Sequence, residues 1–422
     1  MKLTFLGDIM CEPPVLKAAK RKNGTYDFRG VFAPCKKLLR ESDYVIANLE
    51  TPLAGKEAGF SETHLCFNAP DEYADACLDA GIRLISTANN HTFDRGYEGM
   101  ERTLRILDEK GLAHTGTYLP EEERQEAYYF EADGTKFAVI AYTYDTNFAG
   151  SGKNYRAEGA YENSVNLLRL QGSGTYLPGV FRKKNWVQNL FSKISWIKDD
   201  NVGGKVGKFF GLTMTYSRHD DLIFPTSAPF IQRMQQDIRT AKEKADLVLF
   251  YPHVGGQFNI KPGAFSEYVI DKALEAGADG IVATHSHIPQ KLVMRNGVPI
   301  SYCLGNFNMN PKSYLAMPEI LTDYGYALHL YVEKGTIRNV TFSMLKNCVM
   351  PDGQIASCPV DELYQALKTE EEKQLLIQDI HHLYGRITGK KLTKPFVCRE
   401  YACSREDETE NGSDSAKETA VK

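Results

Sequence analysis

The sequence predicts an α/β fold, in which short strands alternate with helices along a chain of 422 residues. Two observations lead to this prediction. Apolar, β-branched runs of strand length recur from the first residues onward, and many are followed by segments with helical periodicity. Polar residues with ligand-type side chains come directly after several of these runs, which is typical of the carboxyl ends of strands in α/β sheets.

The first block of predicted elements covers about the first 145 residues. Its strand candidates lie at residues 3–6, 44–47, 84–87 and 137–142. Its helix candidates lie at residues 33–41, 71–80 and 97–110. The last helix places Met100, Leu104 and Leu107 on one face, and Gly111 follows it as a residue that commonly ends a helix.

The second block repeats the alternation of strands and helices. Its predicted helices are residues 230–245 and 266–276, and its strands are residues 247–251, 280–283 and 298–303. Two further strands, 326–332 and 337–342, are joined by Lys334-Gly335 and predict an antiparallel hairpin that closes the sheet.

Residues 146–228 interrupt this rhythm. The segment is rich in Gly, Asn, Lys and aromatic residues and contains both tryptophans, Trp186 and Trp196. A structureless loop of this length is unusual inside a compact domain, so we interpret it as an inserted lid or subdomain. Because the alternation ends after Leu345, we predict one domain over residues 1–345, a helical extension over 346–404 and a disordered tail over 405–422.

The composition limits the classes of binding partner and the cellular compartments that we expect for the protein. A net charge of −4 gives no reason to expect nucleic acid or an anionic membrane as a partner. The apolar stretch within the first residues, MKLTFLGDIM, is too short for an export signal. No later apolar stretch reaches the length of a membrane-spanning helix. Nine cysteines without a C-x-x-C pair favour reduced thiols. We therefore expect a cytoplasmic protein that associates with membranes through partners if at all.

The informative pattern is the position of the ligand-type residues. Each of them comes directly after a strand candidate, at the place where loops of an α/β sheet converge on one crevice. We predict that they build a metal site, and the set is Asp8, Glu50, Asn90, His91, His253, His285 and His287.

The residue types support the same prediction. Carboxylates, an amide oxygen and imidazoles form the mixed oxygen and nitrogen set that suits Mn, Zn or Fe. A carboxylate such as Glu50 or Asp8 can bridge two cations, and two such ions would clamp a phosphate oxygen and activate water near neutral pH. His91 beside the site would protonate the leaving oxygen, and Asp94 would hold its tautomer.

Each motif also has a plainer interpretation. Gly7-Asp8 would serve equally as a turn or a helix cap, and Asn48-Leu49-Glu50-Thr51-Pro52 as a strand exit. Taken alone, His253 does not decide between a structural and a functional role. Asn89-Asn90-His91 and His285-Ser286-His287 favour function, because amides and paired imidazoles after a buried strand are poor core residues. The other histidines are interpreted as structural or solvated, with His114 as the first exception to consider.

As an ordered set these motifs resemble a known family. Its marks are Gly7-Asp8-Ile9-Met10, Asn48-Leu49-Glu50-Thr51-Pro52-Leu53, Ala88-Asn89-Asn90-His91 with Asp94 and Gly96, His285-Ser286-His287-Ile288-Pro289-Gln290 and Leu304-Gly305-Asn306-Phe307. Together they resemble the bacterial capsule-synthesis proteins of the CapA/PgsA type, which take part in poly-γ-glutamate production. The resemblance runs from Met1 to about Phe342, apart from the insertion.

That family is similar in turn to the calcineurin-like metallophosphoesterases. The likeness implies a two-sheet sandwich flanked by helices in an αββα order. It implies that His91 is the proton donor and that Asn89 and Asn306 contact the substrate. The implied ligands of one or two divalent ions are Asp8, Glu50, Asn90, His253, His285 and His287. Two departures matter. Met10 stands where the phosphoesterases carry a histidine, and Asn48 and Glu50 replace a Gly-Asp motif, so a mononuclear site or an altered reaction stays open.

Three functions compete at this point. The first is a metal-dependent hydrolase or transferase acting on a phosphate ester or a γ-glutamyl amide of an anionic polymer. The second is a non-enzymatic accessory factor of a membrane complex for polymer synthesis or export, which the missing histidine at Met10 favours. The third is a carbohydrate- or peptide-binding module that uses the aromatic residues of the insertion.

Overall fold

The computed structural model describes residues 1–62, 66–147, 155–172, 197–198, 204–209, 212–217, 220–313, 316–392 and 396–403. The strands within these ranges are β1 Lys2–Ile9, β2 Tyr44–Leu49, β3 Ile82–Ser86, β4 Ala113–Thr115, β5 Tyr128–Ala132, β6 Thr135–Thr143, β7 Ile197–Lys198, β8 Gly204–Phe209, β9 Leu212–Ser217, β10 Leu247–His253, β11 Gly280–Val282, β12 Leu292–Arg295, β13 Val298–Ser301, β14 Tyr324–Glu333, β15 Thr336–Val349, β16 Ile355–Pro359 and β17 Tyr401–Ala402. The helices are α1 Pro13–Ala19, α2 Arg29–Phe32, α3 Lys36–Arg40, α4 Glu72–Ala80, α5 Gly96–Lys110, α6 Ala228–Lys244, α7 Ala264–Ala276, α8 Val360–Ala366 and α9 Glu370–Thr388.

Two sheets organise the described chain. The first has the order β16-β15-β14-β1-β2-β3-β4, with β17 beside β15, and the second has the order β12-β13-β11-β10-β6-β5. In the first sheet β1 to β4 are parallel, and in the second β6, β10, β11 and β13 are parallel. Parallel strands present their carboxyl ends at one edge, so each sheet brings several loops to a common side.

The buried clusters show how the layers are stacked. Side chains of β1 and β14 in the first sheet, such as Phe5 and Leu328, share one core with side chains of β6 and β10 in the second, such as Val139 and Leu249. The outer face of the first sheet is covered by α1 to α4. The outer face of the second is covered by α6 and α7. The predicted α/β sandwich of two sheets flanked by helices is therefore confirmed.

Most predicted elements have their counterpart within a few residues. The helix predicted to end before Gly111 does so, and Gly111 takes a φ of 69° that few other residues adopt. The hairpin of β14 and β15 is antiparallel as predicted. Strands β5 and β12, which pair antiparallel at or near the edges of the second sheet, had no predicted counterpart.

The first sheet continues beyond Leu345, where the strand alternation was expected to end. Strand β15 runs to Val349 and pairs with β16. The expectation is wrong because two buried polar residues interrupt the apolar pattern: Ser357 Oγ donates to Asn347 Oδ1 at 2.7 Å, so both sit in the sheet with their polar groups paired. The predicted helical extension thus contains α8 and α9 together with strands of this sheet, and the boundary near 345 stays a prediction.

Within the predicted insertion, β7, β8 and β9 form a separate antiparallel sheet. Trp186, Trp196 and the predicted tail lie outside the described residues, so the prediction of a disordered tail stays untested. Among the residues that are described, no helix combines the length and apolar character needed to cross a membrane.

Candidate metal centre

The carboxyl ends of the parallel strands from both sheets meet at one site. Asp8 stands near the end of β1 and pairs with Asn48 of β2 and, by an isolated bridge, with Asn306. His253 ends β10, with Thr143 on one side and Thr284 on the other. The predicted ligand residues, which come from distant parts of the sequence, are therefore brought together.

A close backbone crossing sets the position of Asp8. The Asp8 N–H donates to the carbonyl oxygen of Gly305 at 3.2 Å. A Cβ on Gly7 would lie 1.9 Å from that same oxygen, so only glycine fits before the aspartate. Asp8 is fully buried, and its Oδ1 accepts from Asn48 Nδ2 at 2.8 Å while its Oδ2 accepts from the backbone N–H of His285 at 3.1 Å.

Glu50 occupies the centre of the site. Its side chain is 0% exposed, and neither carboxylate oxygen accepts a hydrogen bond from any residue that the structure describes. Oε1 lies 3.5 Å from Nε2 of His253, 3.7 Å from Nε2 of His287 and 3.8 Å from Nε2 of His91. A buried carboxylate without hydrogen bonds is costly unless a cation compensates it.

Two groups of donor atoms overlap at this carboxylate. Glu50 with His285 and His287 forms one, and Asp8 with Glu50 and His253 forms the other; within each, the donor atoms lie within 4.8 Å of one another. The amide oxygen of Asn90 is 2.8 Å from Nε2 of His253 and so belongs to the same space. This oxygen and nitrogen set fits a divalent metal ion.

The backbone of the His285-Ser286-His287 turn is strained. His285 has a φ of 100° and His287 a φ of 57°, both in the left-handed region that residues with a Cβ rarely adopt. Strain of this kind persists where the surroundings hold it in place and is common at functional sites. Here Asn306 provides part of the support, because its Nδ2 donates to the carbonyl oxygen of His287 at 2.9 Å.

The charges of the site act on one another. Burial lowers the pKa of His287, but the carboxylates of Glu50 and Asp8 outweigh this effect and raise the pKa to about 9. Burial raises the pKa of Asp8, yet His287 and His253 hold it below its ordinary value. The two carboxylates therefore create a negative potential that favours any cation placed between them.

His91 and Asp94 form a pair beside the ligands. His91 Nδ1 lies 2.7 Å from Asp94 Oδ2, which also accepts the backbone N–H of Phe67 at 2.6 Å. The Phe67 ring packs against the imidazole, with 4.4 Å between the ring centres. Although burial lowers the pKa of His91, Asp94 and Glu50 raise it above its ordinary value. This geometry suits a proton donor whose tautomer is fixed by a carboxylate.

The two asparagines predicted to contact substrate are engaged elsewhere. Asn89 Nδ2 donates to the carbonyl oxygen of Leu49 at 2.8 Å, and its Oδ1 accepts the N–H of His91 at 3.1 Å. Asn306 Oδ1 lies 2.8 Å from Nδ1 of His287. Both are buried and both hold a neighbour of the site, so the geometry favours positioning roles over substrate contact.

Sequence reasoning missed other residues that support the site. Thr284 Oγ1 lies 2.9 Å from Nδ1 of His253, and Asn48 Nδ2 lies 3.3 Å from the same atom. The ring of Tyr144 packs on that of His285 at 4.4 Å between centres. Asn48 belongs to a motif noted in the sequence, whereas for Thr284 and Tyr144 the only signal was a position within two residues of a strand end.

Met10 differs from the predicted ligand residues around it. It directly follows β1, two residues after Asp8, and its side chain is 6% exposed and packs with Phe67 and Met309. A thioether is a poor ligand for Mn, Zn or Fe. The departure noted in the sequence thus corresponds to an apolar contact in the structure.

The chain is similar to several known proteins. Capsule biosynthesis protein CapA of Bacillus anthracis is 25% identical over 362 residues, which are 83% of this chain and 72% of that protein. PGA biosynthesis protein CapA of Bacillus subtilis strain 168 is 25% identical over 311 residues, which are 73% of this chain and 63% of that protein. A putative 5'-nucleotidase from Staphylococcus aureus, solved in complex with alpha-ketoglutarate, superimposes with a TM-score of 0.41 at 12% identity, covering 90% of this chain and 58% of that one.

A family model decides the assignment. The family described as "Bacterial capsule synthesis protein PGA_cap" matches residues 2–311, well over half of the 422 residues. The chain belongs to the PGA_cap family of bacterial capsule synthesis proteins.

Proposed function

We propose that the protein is a metal-dependent hydrolase or transferase of capsule or poly-γ-glutamate biosynthesis, acting on a phosphate ester or a γ-glutamyl amide. One observation carries the proposal. The Glu50 carboxylate is fully buried, lacks hydrogen bonds among the described residues and faces the Nε2 atoms of His253, His287 and His91. A core position without function would not combine these features, because burying a carboxylate that accepts no hydrogen bond is costly.

The residues that would hold one or two divalent ions share the space around this carboxylate. When bound, such an ion polarises a phosphoryl or carbonyl oxygen and activates water. The protein's own contribution is to fix the donors before the ion arrives, through Thr284, Asn48 and Asn306. The proposed ligands are Asp8, Glu50, Asn90, His253, His285 and His287.

His91 is the proposed proton donor. Asp94 accepts from its Nδ1, which leaves Nε2 directed toward the centre of the site, 3.8 Å from Glu50 Oε1. Protonation of a leaving oxygen or nitrogen by a positioned imidazole accelerates a reaction by about 10²- to 10⁴-fold.

The substrate class follows from the relatives. One is named as a capsule protein and another as a PGA biosynthesis protein, which favours an anionic polymer or its γ-glutamyl or phosphorylated precursor as substrate. A membrane synthase complex is the corresponding partner class.

Metal analysis with activity assays tests the proposal. We expect at least one tightly held transition metal per chain in purified protein, reduced in Asp8→Ala and in His287→Ala. Protein reconstituted with Mn, Zn, Fe or Co should turn over aryl phosphates or γ-glutamyl peptides, and His91→Ala should lose most of that activity while keeping the metal. The exposed His382 offers a matched control, since His382→Ala should change neither quantity. Absence of turnover with all four metals would contradict an enzymatic role.

A second candidate is a non-enzymatic accessory factor of a polymer synthesis or export complex, with a metal that stabilises the fold. The apolar packing of Met10, in place of an imidazole, favours it. Co-purification with a membrane ligase that is unaffected by His287→Ala, together with no turnover, would support this candidate over the first.

A further inference from the structure

The loop after β6 adds side chains to the centre that no sequence motif indicated. β6 is parallel to β10, and Thr143 at its end lies opposite His253. The next residues continue into the site: Tyr144 packs on His285, and Asn147 reaches the neighbourhood of His91. The carboxyl end of β6, another parallel strand, therefore also places side chains beside the candidate metal centre.

Asn147 is fixed by its backbone, and its side chain is directed at the proposed proton donor. Its N–H donates to the carbonyl oxygen of Asn90 at 2.6 Å. Its carboxamide nitrogen lies 3.4 Å from Nε2 of His91, and its Oδ1 accepts from Asn90 Nδ2 at 3.4 Å. The carboxamide thus stands over the imidazole nitrogen that faces Glu50.

The contacts of this carboxamide differ from those of the other asparagines in the centre. Asn48 and Asn306 are buried and make side-chain contacts of 2.8 Å. Asn147 is half-buried, and its two side-chain contacts with the described residues are longer than the ordinary 2.9–3.0 Å. Since a carboxamide offers two donors and an acceptor, it retains the capacity to bind another group beside His91.

We propose that Asn147 is a catalytic residue that hydrogen-bonds the leaving oxygen or nitrogen of the substrate, the atom that receives the proton of His91. This inference rests on the proposed function. In the hydrolysis, water supplies the oxygen that joins the phosphorus or the carbonyl carbon; one of its protons stays on that oxygen, and the other is released to solvent, from which His91 regains its proton. The bond to the leaving atom breaks, that atom keeps the electron pair, and it takes the proton from His91 Nε2.

The Asn147 carboxamide can hydrogen-bond the leaving atom both before and after the proton transfer. Its N–H donates to the leaving atom while negative charge develops there, and its oxygen accepts the new O–H or N–H after the proton has moved. The help is greatest for a basic leaving group, such as an alkoxide or an amide nitrogen, and smallest for a nitrophenolate. Asn147 therefore selects substrates with alcohol or amine leaving groups, as in a sugar phosphate or a γ-glutamyl amide.

A leaving-group series tests the inference. Metal-loaded wild type, Asn147→Ala and Asn147→Ser are assayed on p-nitrophenyl phosphate, phenyl phosphate and an alkyl phosphate. We expect kcat/KM of Asn147→Ala to fall about 100-fold for the alkyl ester, as for loss of one transition-state donor, and by less than about 3-fold for the nitrophenyl ester. Asn147→Ser should recover part of the loss. The exposed Asn339 provides the control, because Asn339→Ala should match wild type throughout.

Two further measurements exclude a purely structural role. Metal content of Asn147→Ala should equal that of wild type, and calorimetric titration with phenyl phosphate should show binding weakened by at least about 5-fold. An equal loss of kcat/KM for all three esters, unchanged affinity for phenyl phosphate, or a fall in metal content would overturn the inference while leaving the proposed function intact. An inactive wild type would instead overturn the proposed function, and this inference with it.

Discussion

The carboxamide of Asn306 contacts His287 at two points. Its Nδ2 donates to the backbone carbonyl oxygen of His287 at 2.9 Å, and its Oδ1 lies 2.8 Å from Nδ1 of the ring. Because the first bond fixes the orientation of the amide, its oxygen faces the ring and accepts, so Nδ1 carries a hydrogen. Nε2 is then the ring nitrogen that faces Glu50, 3.7 Å away, and it can bind a metal once it has released its own proton. One side chain thus sets the ring orientation, the tautomer and a strained backbone.

Replacing this side chain should weaken metal binding without unfolding the protein. We expect Asn306→Ala to lower the affinity for Mn or Zn by about 10- to 100-fold, because supporting hydrogen bonds of this kind hold a ligand in its binding geometry. Competition with a chelating dye measures the affinity, and Asn339→Ala is the control. Equal affinities in the two variants would show that Asn306 does not position His287.

Metal removal should reveal what compensates Glu50. A ligand that binds only the folded state, present at 100 times its Kd, adds about 2.7 kcal/mol to the free energy of unfolding, so a chelator should remove about that much from wild type. Glu50→Gln should lose this metal-dependent increment. Its metal-free form should be at least as stable as metal-free wild type, because an uncompensated buried charge has gone. Urea unfolding with and without metal measures both, and an undiminished increment in Glu50→Gln would contradict the assignment.

Much of this arrangement could be predicted from the sequence. Glu50 and His287 each follow a strand, and the rule that parallel strands end at one edge was sufficient to place them together. The rule does not say which atoms of a residue face the centre. That Asn89 and Asn306 contact substrate is implied by the resemblance and stays a prediction; in the structure their amides donate to Leu49 and His287.

Other features carry no local signal. Asn147 follows its strand by four residues in a loop without a motif, so only the tertiary structure places it beside His91. The continuation of β15 was missed because Asn347 breaks the apolar alternation, and its partner Ser357 is ten residues away in the sequence. Polar pairs buried across strands are satisfied by contacts that periodicity does not detect.

Met10 offers a gain-of-ligand test. Met10 directly follows β1, two residues after Asp8, and packs with Phe67, whose ring contacts His91. We expect Met10→His to raise the number of ions per chain, or the affinity for Mn, because it adds an imidazole next to the existing donors. The stability should fall by about 1–3 kcal/mol from the loss of apolar packing with Phe67 and Met309. Met10→Leu keeps the packing and should leave metal binding unchanged. If Met10→His and Met10→Leu bind metal alike, the side chain of residue 10 does not reach the ions.

His329 should make the fold sensitive to acid independently of the metal. It is buried in β14, with Nδ1 2.8 Å from Thr4 Oγ1 and Nε2 2.9 Å from Ser343 Oγ. Burial, assisted by the charges of Lys2 and Arg399 and opposed by that of Glu400, lowers its pKa from 6.5 to about 3. His329 therefore binds a proton below about pH 6.5 in the unfolded chain, but in the folded chain only when the pH falls to about 3.

The stability that neutral His329 provides is complete above pH 6.5 and is lost as the pH falls toward 3. Within this window we expect His329 to lower the free energy of unfolding by up to about 1.4 kcal/mol per pH unit. Urea unfolding of metal-free protein at several pH values measures the slope. His329→Gln, which has no titrating ring, should show a shallower slope than wild type by about that amount, and the exposed His382→Gln should not. If His329→Gln and wild type lose stability in parallel, protonation of His329 does not contribute to acid unfolding.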